Sequence, residues 1–595
     1  MTWSNPLKSW KQWLPKRLVA LSVLVGIVAG CGALLFNLLL GWADEAFIVR
    51  AAGYHMPQPG SEGGPSLASG PSRRWVLLLA PAVGGLLSGL LVYTFAPEAE
   101  GHGTDAVVDT FHHMRGFIRA RVPVIKTLAS ALTIGSGGSA GREGPIAQIG
   151  AGFGSSLATW LKAGDHERRL LMLAGAAGGL GAVFRAPLGA AFFAAEVLYR
   201  DVEFEAAALI PGFVASIVAY SVYCTVTGVW GAIFIVPQLT FNHPLELLFY
   251  LALGGLCALV GVVHVRVFYG LRDRVFRRWR IPNHIKPAIG GLLVGIIGFF
   301  VPQVLGMGYG WTQLAIDGQL SVRLALTIVG LKIVATGLTI GSGGSGGVFA
   351  PSITIGACLG AAVGTFLHRL LPGVVAQPAA YVLVGMAGFF AGVSKTPVAT
   401  LIMVSEMATG YGLLAPLMLT TAAAYLLTPL KFSIYEKQLN SRADSPAHTG
   451  EYLSDALAGL HVRDAMPSPA ALTTFRLDTL LPEILTAVAA SQQHVFPVLN
   501  AQDEIRGVIL LDDLRSFLTL RDVPSHAIIA HDLLSPQFVT VHPDEDLKAA
   551  VQKLRESRQM ELVVVEHEGS PKVAGILGRH DILGAYQDHV RQPVD

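Results

Sequence analysis

Eight consecutive residues, LTIGSGGS, occur at Leu132–Ser139 and again at Leu338–Ser345, an offset of 206. The offset holds outside the match. Lys126 falls on Lys332, Pro145 on Pro351, Gly150 on Gly356, and PAVGGLL from Pro81 falls on PAIGGLL from Pro287. Further along, Gly175, Pro187 and Glu196 map onto Gly385, Pro397 and Glu406 at an offset of 210. Such a chain folds as two copies of one unit, with its most glycine-rich, least helix-like stretch at the same place in each. Interrupted apolar segments at matching positions of two halves are the strongest sequence pointer to an ion site near a bilayer midplane.

With 52% hydrophobic and 14% charged residues and a mean hydropathy of +0.52, residues 1–440 read as a polytopic membrane domain. Apolar runs at 18–42, 75–96, 205–228, 244–270, 287–304 and 321–341 are each near the ~20 residues that a span needs. Shorter segments at 145–160, 169–182 and 396–408 are rich in Gly and Pro. Broken backbone at that depth survives only when buried in protein or lining a polar pathway. The repeat halves are expected at about 75–230 and 281–440. The net charge of +2 says nothing about partners, and no nucleic acid is expected among them.

Lys8, Lys11, Lys16 and Arg17 precede the first run, which is too long for a removable signal peptide and places the N-terminus in the cytoplasm. Trp3, Leu7, Trp10 and Leu14 read either as a short interfacial helix or as a frayed end. The Gly/Pro/Ser-rich stretch at 53–72 is expected as an outer loop. Arg272, Arg274, Arg277, Arg278 and Arg280 mark an inner one. Cys31, Cys224, Cys257 and Cys358 lie in apolar surroundings without metal or disulfide spacing and read as buried packing residues.

A polar linker at 441–458 leads to a tail, 459–595, that is itself duplicated. Asp464 and Asp532, Gly507 and Gly575, and Asp513 and Asp581 are each 68 apart. Its helix–strand–strand–helix pattern resembles a tandem pair of cystathionine-β-synthase-type (CBS) domains, an α/β fold.

The chemistry lies in the glycine-rich breaks. A break followed by a helix start leaves several N–H groups without intrahelical acceptors at the positive end of the helix dipole. That attracts an anion without the grip of a full charge. Two such breaks, one from each half, would make a site for a small anion. A phosphate loop is excluded, because neither stretch ends in Lys-Ser/Thr. Close packing of helices through small residues is the remaining alternative. Against it stands Glu143, in Gly141-Arg142-Glu143-Gly144-Pro145. A carboxylate at that depth costs about 3 kcal/mol, so it implies a role. Pro145 suits a first helical turn, which puts Glu143 where negative charge is welcome. There it can occupy an anion position as a tethered competitor. The bland reading is an ion pair with Arg142.

Gly141–Pro145, Gly347-Val348-Phe349-Ala350-Pro351, the duplicated halves and the CBS tail together resemble the CLC family of chloride channels and chloride/proton antiporters. The resemblance spans essentially the whole chain. It implies an all-α inverted-repeat fold with broken helices, homodimers with one pathway per subunit, and cytoplasmic CBS domains. It makes Glu143 the gate and has Gly144, Val348 and Phe349 face the anion with backbone N–H groups. It also has Tyr435 donate its hydroxyl there. Gly101-His102-Gly103-Thr104-Asp105 matches the family's Gly-Ser-Gly-Ile-Pro. His102 replaces the anion-binding serine, either donating from its ring or turning away, and Asp105 replaces the proline. Aligning Phe184–Leu188 puts Val197 where the exchangers carry a proton-passing glutamate, as in the family's channels. The preceding Glu196, with its twin Glu406, reads as structural.

Lys126 and Lys332 face the breaks and add positive potential in this reading. Arg185 and Lys395 are mouth residues or snorkelling cations. His112 and His113 belong to a solvated inner face. Asp513 and Asp581 stand where CBS domains often meet a ribose. An adenine nucleotide (ATP, ADP or AMP) there and an empty pair are both open. The expectation is a passive chloride channel of the plasma (inner) membrane, gated by Glu143 and modulated by the CBS pair. Proton-coupled exchange and a membrane-anchored CBS sensor without transport are the alternatives. No enzyme activity, catalytic residue, metal or required cofactor is expected.

Overall fold

Repetition in the sequence becomes repetition of helices. The computed structural model describes residues 16–60, 70–241, 243–408, 410–448, 460–466, 472–517, 528–557, 559–582 and 584–585. The segment holding Trp3, Leu7, Trp10 and Leu14 and most of the linker lie outside them. Two compact units are present, Met1–Ala447 and His448–Asp595.

The first unit begins with α1 (Lys16–Asp44), α2 (Arg74–Phe95), α3 (Thr104–His113) and α4 (Arg121–Gly135). Then come α5 (Glu143–Trp160), α6 (Asp165–Phe184), α7 (Pro187–Glu196) and α8 (Ala206–Thr227). The same order returns as α9 (Glu246–Tyr269), α10 (Lys286–Phe300), α11 (Tyr309–Ile316) and α12 (Val322–Gly341). It ends with α13 (Phe349–Leu370), α14 (Pro378–Ser394), α15 (Pro397–Met407) and α16 (Leu414–Leu427). Both α1 and α9 run on into a widened π-turn, at Glu45–Ala51 and Gly270–Phe276. The repeated order of elements therefore starts one helix earlier than 75 and 281.

Among the described residues, six helices are long and apolar enough to cross a membrane. Five coincide with the expected runs. The run at 287–304 does not, because Pro302 follows the end of α10, which has 15 residues. The sixth is α13, where Gly, Ala, Ser and Thr interrupt the apolar residues. Without a hydrophobic force between helices in lipid, such small residues let backbones approach closely. A Cβ on Gly150 of α5 would collide with the Gly175 carbonyl of α6, and one on Gly356 of α13 with the Gly385 carbonyl of α14. The two halves thus cross their helices at twin glycines. α6 is buried from Leu170 to Phe184 and α14 from Ala380 to Ser394. These two form the centre, as helices apolar all round should.

Cys224, Cys257 and Cys358 are buried, as expected, but Cys31 is exposed. It lies on the face of α1 that also exposes Leu24, Val28, Leu35 and Leu38. An apolar neighbourhood in sequence does not separate a lipid-facing stripe from a protein-facing one.

The second unit holds two three-stranded sheets, β1 (Phe475–Arg476), β2 (Val495–Leu499), β3 (Ile505–Leu510) and β4 (Thr540–Val541), β5 (Glu561–Val565), β6 (Val573–Gly578). In each, the first pair is parallel and the second antiparallel, with one register shift near the end of the middle strand. Val495, Val508, Val563 and Val565 pack together between the sheets. The Glu561 carboxylate accepts from the N–H groups of His494 (2.7 Å) and Val495 (3.0 Å).

Candidate functional site

The two glycine-rich breaks meet. Gly141 N–H donates to the Gly347 carbonyl (2.7 Å) and Gly347 N–H to the Gly141 carbonyl (2.6 Å), a two-residue antiparallel bridge. Side chains tie the copies further, with Ser130 and Ser345 hydroxyls 2.8 Å apart and Ser139 Oγ 3.1 Å from Thr336 Oγ1. The starts of α5 and α13 are therefore neighbours, and their free N–H groups share one locality.

Beside this bridge lies a small cavity lined by Thr104, Glu143, Gly144, Phe184, Phe193, Val348, Phe349 and Tyr435. Its volume is about 10 Å3, roughly room for one water or one small ion. Glu143, 2% exposed, accepts at Oε1 from the Tyr309 hydroxyl and at Oε2 from Ala350 N–H (3.4 Å). Its carboxylate thus sits at the start of α13, where an anion would be favoured. Tyr435 is fully buried, with its backbone N–H on Ser433 Oγ (3.1 Å). Its side chain borders the same cavity as that of Thr104.

His102 does not line the cavity. Its Nε2 is 3.1 Å from Asp105 Oδ2, and its ring centroid is 5.5 Å from that of Tyr435. Asp105 in turn accepts from Glu436 N–H (3.2 Å) and Lys437 N–H (3.0 Å). The residue that replaces proline thereby clamps the loop carrying Tyr435. Arg142 points elsewhere, its Nη1 donating to Asn37 Oδ1 (3.0 Å). Gly144 admits no side chain, since a Cβ there would collide with the His102 carbonyl.

Residues 84–429 match the family model described as voltage gated chloride channel. The chain belongs to that family. As a member it is a membrane-spanning CLC anion transporter, and residues 530–588 match the CBS domain model. The chloride channel protein CLC-e of Arabidopsis thaliana is 27% identical over 634 residues, covering 95% of this chain and 87% of that protein. The H(+)/Cl(-) exchange transporter ClcA of Vibrio campbellii is 30% identical over 348 residues, covering 57% and 73%. The solved structure of a eukaryotic CLC transporter superposes with a TM-score of 0.57 at 19% identity, over 95% of this chain and 98% of that one. It shows the shared fold.

Within this CLC fold several charged residues hold backbone groups in place. Lys126 and Lys332 are fully buried. Lys126 Nζ donates to the carbonyls of Ala99 (2.9 Å) and Gly101 (2.7 Å), and Lys332 Nζ to those of Val304 (3.1 Å) and Gly306 (3.0 Å). A buried ammonium needs such acceptors. Glu196 and Glu406 exchange places, each accepting from two N–H groups at the start of the other's helix: Val398 and Ala399, and Leu188 and Gly189. Arg185 and Lys395 end α6 and α14 in the left-handed region. Their cations donate to the Ala232 and Thr428 carbonyls. His112 is buried, with Nδ1 2.8 Å from Ser445 Oγ and Nε2 3.1 Å from the Leu198 carbonyl. This corrects its expected place on a solvated face; His113 is exposed.

Thr104 and Tyr309 escaped the sequence reading. A signal was present: Gly101-His-Gly103-Thr104 and Gly306-Met-Gly308-Tyr309 are twins at an offset of 205, one short of the main repeat. All four glycines have positive φ, and each loop hangs on one of the twin lysines. In the tail, Asp513 is exposed, and Asp581 Oδ2 accepts from Gly578 N–H (2.8 Å).

Proposed function

We propose that the protein is a passive chloride channel gated by Glu143, with backbone N–H groups of α5 and α13 and the hydroxyls of Thr104 and Tyr435 facing the ion. The observation that carries this reading is Val197. Its side chain is 2% exposed, its carbonyl accepts from Gln438 Nε2 (3.0 Å), and neighbouring Glu196 has both oxygens engaged by α15. Valine has no proton to pass. The protein is a homodimer with one pathway per subunit, in the plasma (inner) membrane with its N-terminus and CBS pair in the cytoplasm. Proton-coupled exchange, the activity in the Vibrio relative's name, is the competing reading. Purified protein in liposomes separates them. The reversal potential is expected to follow the chloride gradient alone, and a shift when only the proton gradient changes would give exchange instead. A membrane-anchored sensor would show no chloride efflux at all.

The CBS pair is proposed to modulate the gate and to take an adenine nucleotide near Asp513 and Asp581. Millimolar ATP, ADP or AMP is expected to raise the thermal midpoint of the full chain, since a ligand that prefers the folded state stabilises it. Identical midpoints with and without all three would argue for a pair that binds none.

A further inference from the structure

The first π-turn, Glu45–Ala51, leaves a groove beside α2. Arg73 N–H donates to the Ala52 carbonyl (2.9 Å) and ties the start of α2 to the end of that turn. Between them lies a cavity of about 260 Å3 walled by Phe47, Val76, Leu79, Ala80 and Val83, with Arg73 at one end. We propose that this groove binds one anionic phospholipid, its acyl chain lying along α2 and its phosphate held by Arg73 and Arg74. The site is the same whether chloride crosses alone or with a proton.

Shape comes first. Val76, Leu79, Ala80 and Val83 follow helical spacing and form one stripe of α2. From Arg73 to Val83 is ten residues, about 15 Å along a helix and half of the ~30 Å hydrocarbon core. The groove therefore spans one leaflet, the depth of one acyl chain. Leu79 and Val83 are each 45% exposed on a helix apolar enough to cross a membrane, so the groove opens sideways into lipid. Water does not suit it, because a buried water needs two to four polar partners and these walls are apolar side chains. Left unfilled, the lining atoms would forgo their contacts.

Charge comes second. Glu45 is occupied by Arg50, Nε to Oε1 2.8 Å. No carboxylate among the described residues pairs with Arg73 or Arg74, and both are exposed. Two adjacent guanidiniums suit a phosphate, which arginine grips through paired N–H donors. Trp75, 61% exposed, places them at headgroup depth, where tryptophan collects. A second copy of this chain laid over the groove would bury both cations unpaired, at a high cost. A lipid phosphate neutralises them.

The occupant also bears on the fold. Ile48, next to Phe47, backs the first glycine-rich break: a Cβ on Gly137 would come to 3.2 Å of Ile48 Cδ1. The Gly137 carbonyl in turn accepts from Gly306 N–H (3.2 Å). A lipid in the groove braces the turn behind that contact.

The full chain, purified in detergent and freed of lipid, is titrated with dioleoylphosphatidylglycerol and observed by native mass spectrometry. One tightly retained lipid per chain is expected. Dioleoylglycerol, with the same chains and no phosphate, should bind at least tenfold more weakly. Arg73→Gln combined with Arg74→Gln should weaken the phospholipid about tenfold to thirtyfold. Val83→Trp fills the deep end and should weaken it about fivefold. Leu90→Trp, also on the exposed face of α2 but outside the groove, should change nothing. Equal binding of the two lipids, or normal binding by the arginine variant, overturns the phosphate site. Equal binding by Val83→Trp and Leu90→Trp overturns the groove. The unaltered chain gives a readout free of any variant's folding: its thermal midpoint should rise with the phospholipid and stay fixed with inorganic phosphate. An equal rise with inorganic phosphate would replace the lipid by a free anion, and a changed oligomeric state in Val83→Trp would put a second copy over the groove instead.

Discussion

Replacing Glu143 by glutamine is expected to raise basal chloride flux about fivefold to thirtyfold. The carboxylate is held by the Tyr309 hydroxyl and the Ala350 N–H. Hydrogen bonds to a charged acceptor contribute about 1.5–3 kcal/mol, against about 0.5–1.5 for neutral pairs. Removing the charge therefore costs the closed position about 1–2 kcal/mol, which is the stated factor in the closed-to-open ratio. The amide also brings an NH2 group into a place arranged for an acceptor, next to backbone donors, and this acts in the same direction. Flux should be measured from liposomes at matched protein load. In the unaltered protein, acidification should produce the same rise by protonating the carboxylate, and the glutamine variant should be insensitive to it. Equal fluxes for both proteins across the pH range would remove Glu143 from the gate.

What could be read beforehand follows from what repeats. The Gly141 and Gly347 motifs, the helix starts behind them and the pairing of Glu196 with Glu406 all came from residues recurring at fixed offsets. A two-copy fold must use each such residue twice, in equivalent surroundings. The bridge between Gly141 and Gly347 and the exchanged carboxylates of Glu196 and Glu406 are that equivalence in atoms. The span at α13 was missed because its small residues, which allow close packing, also dilute the apolar signal.

Side-chain direction was harder to read than position. His102 and Thr104 lie two residues apart at the start of α3, and of the two the sequence marks only His102 as a candidate donor. The positive φ of Gly103 turns the chain between them. Thr104 then faces Tyr435, while His102 reaches Asp105. Lys126 and Lys332 were seen to be near the breaks, yet their ammoniums end on carbonyls of loops about 25 residues away in sequence. Such long-range partners leave no local pattern. The exposure of Cys31 and the burial of His112 have the same origin, since both depend on which helix lies alongside.

The second large effect is expected at Gly144, where alanine should lower flux about a hundredfold or more. A methyl group there meets the carbonyl of His102 on one side and comes to 3.1 Å of the Gly347 Cα on the other. Both obstacles are backbone, and neither can rotate away. The His102 loop hangs from Lys126, and Gly347 is bonded in both directions to Gly141, so the start of α5 must itself withdraw. Overpacking of this kind costs about 1–3 kcal/mol in stability, which a domain of this size survives. Function is less tolerant, because donors must stay within about 0.5 Å of their working positions, and a displacement of about 1 Å commonly costs a hundredfold. The variant should therefore fold with a modestly lower thermal midpoint and conduct poorly. Gly164→Ala is the control. That glycine lies at the start of α6 with φ −65° and has nothing within 4 Å of an added Cβ, so both flux and midpoint should stay as they are. If Gly144→Ala conducts as well as Gly164→Ala, the start of α5 does not border the ion's path.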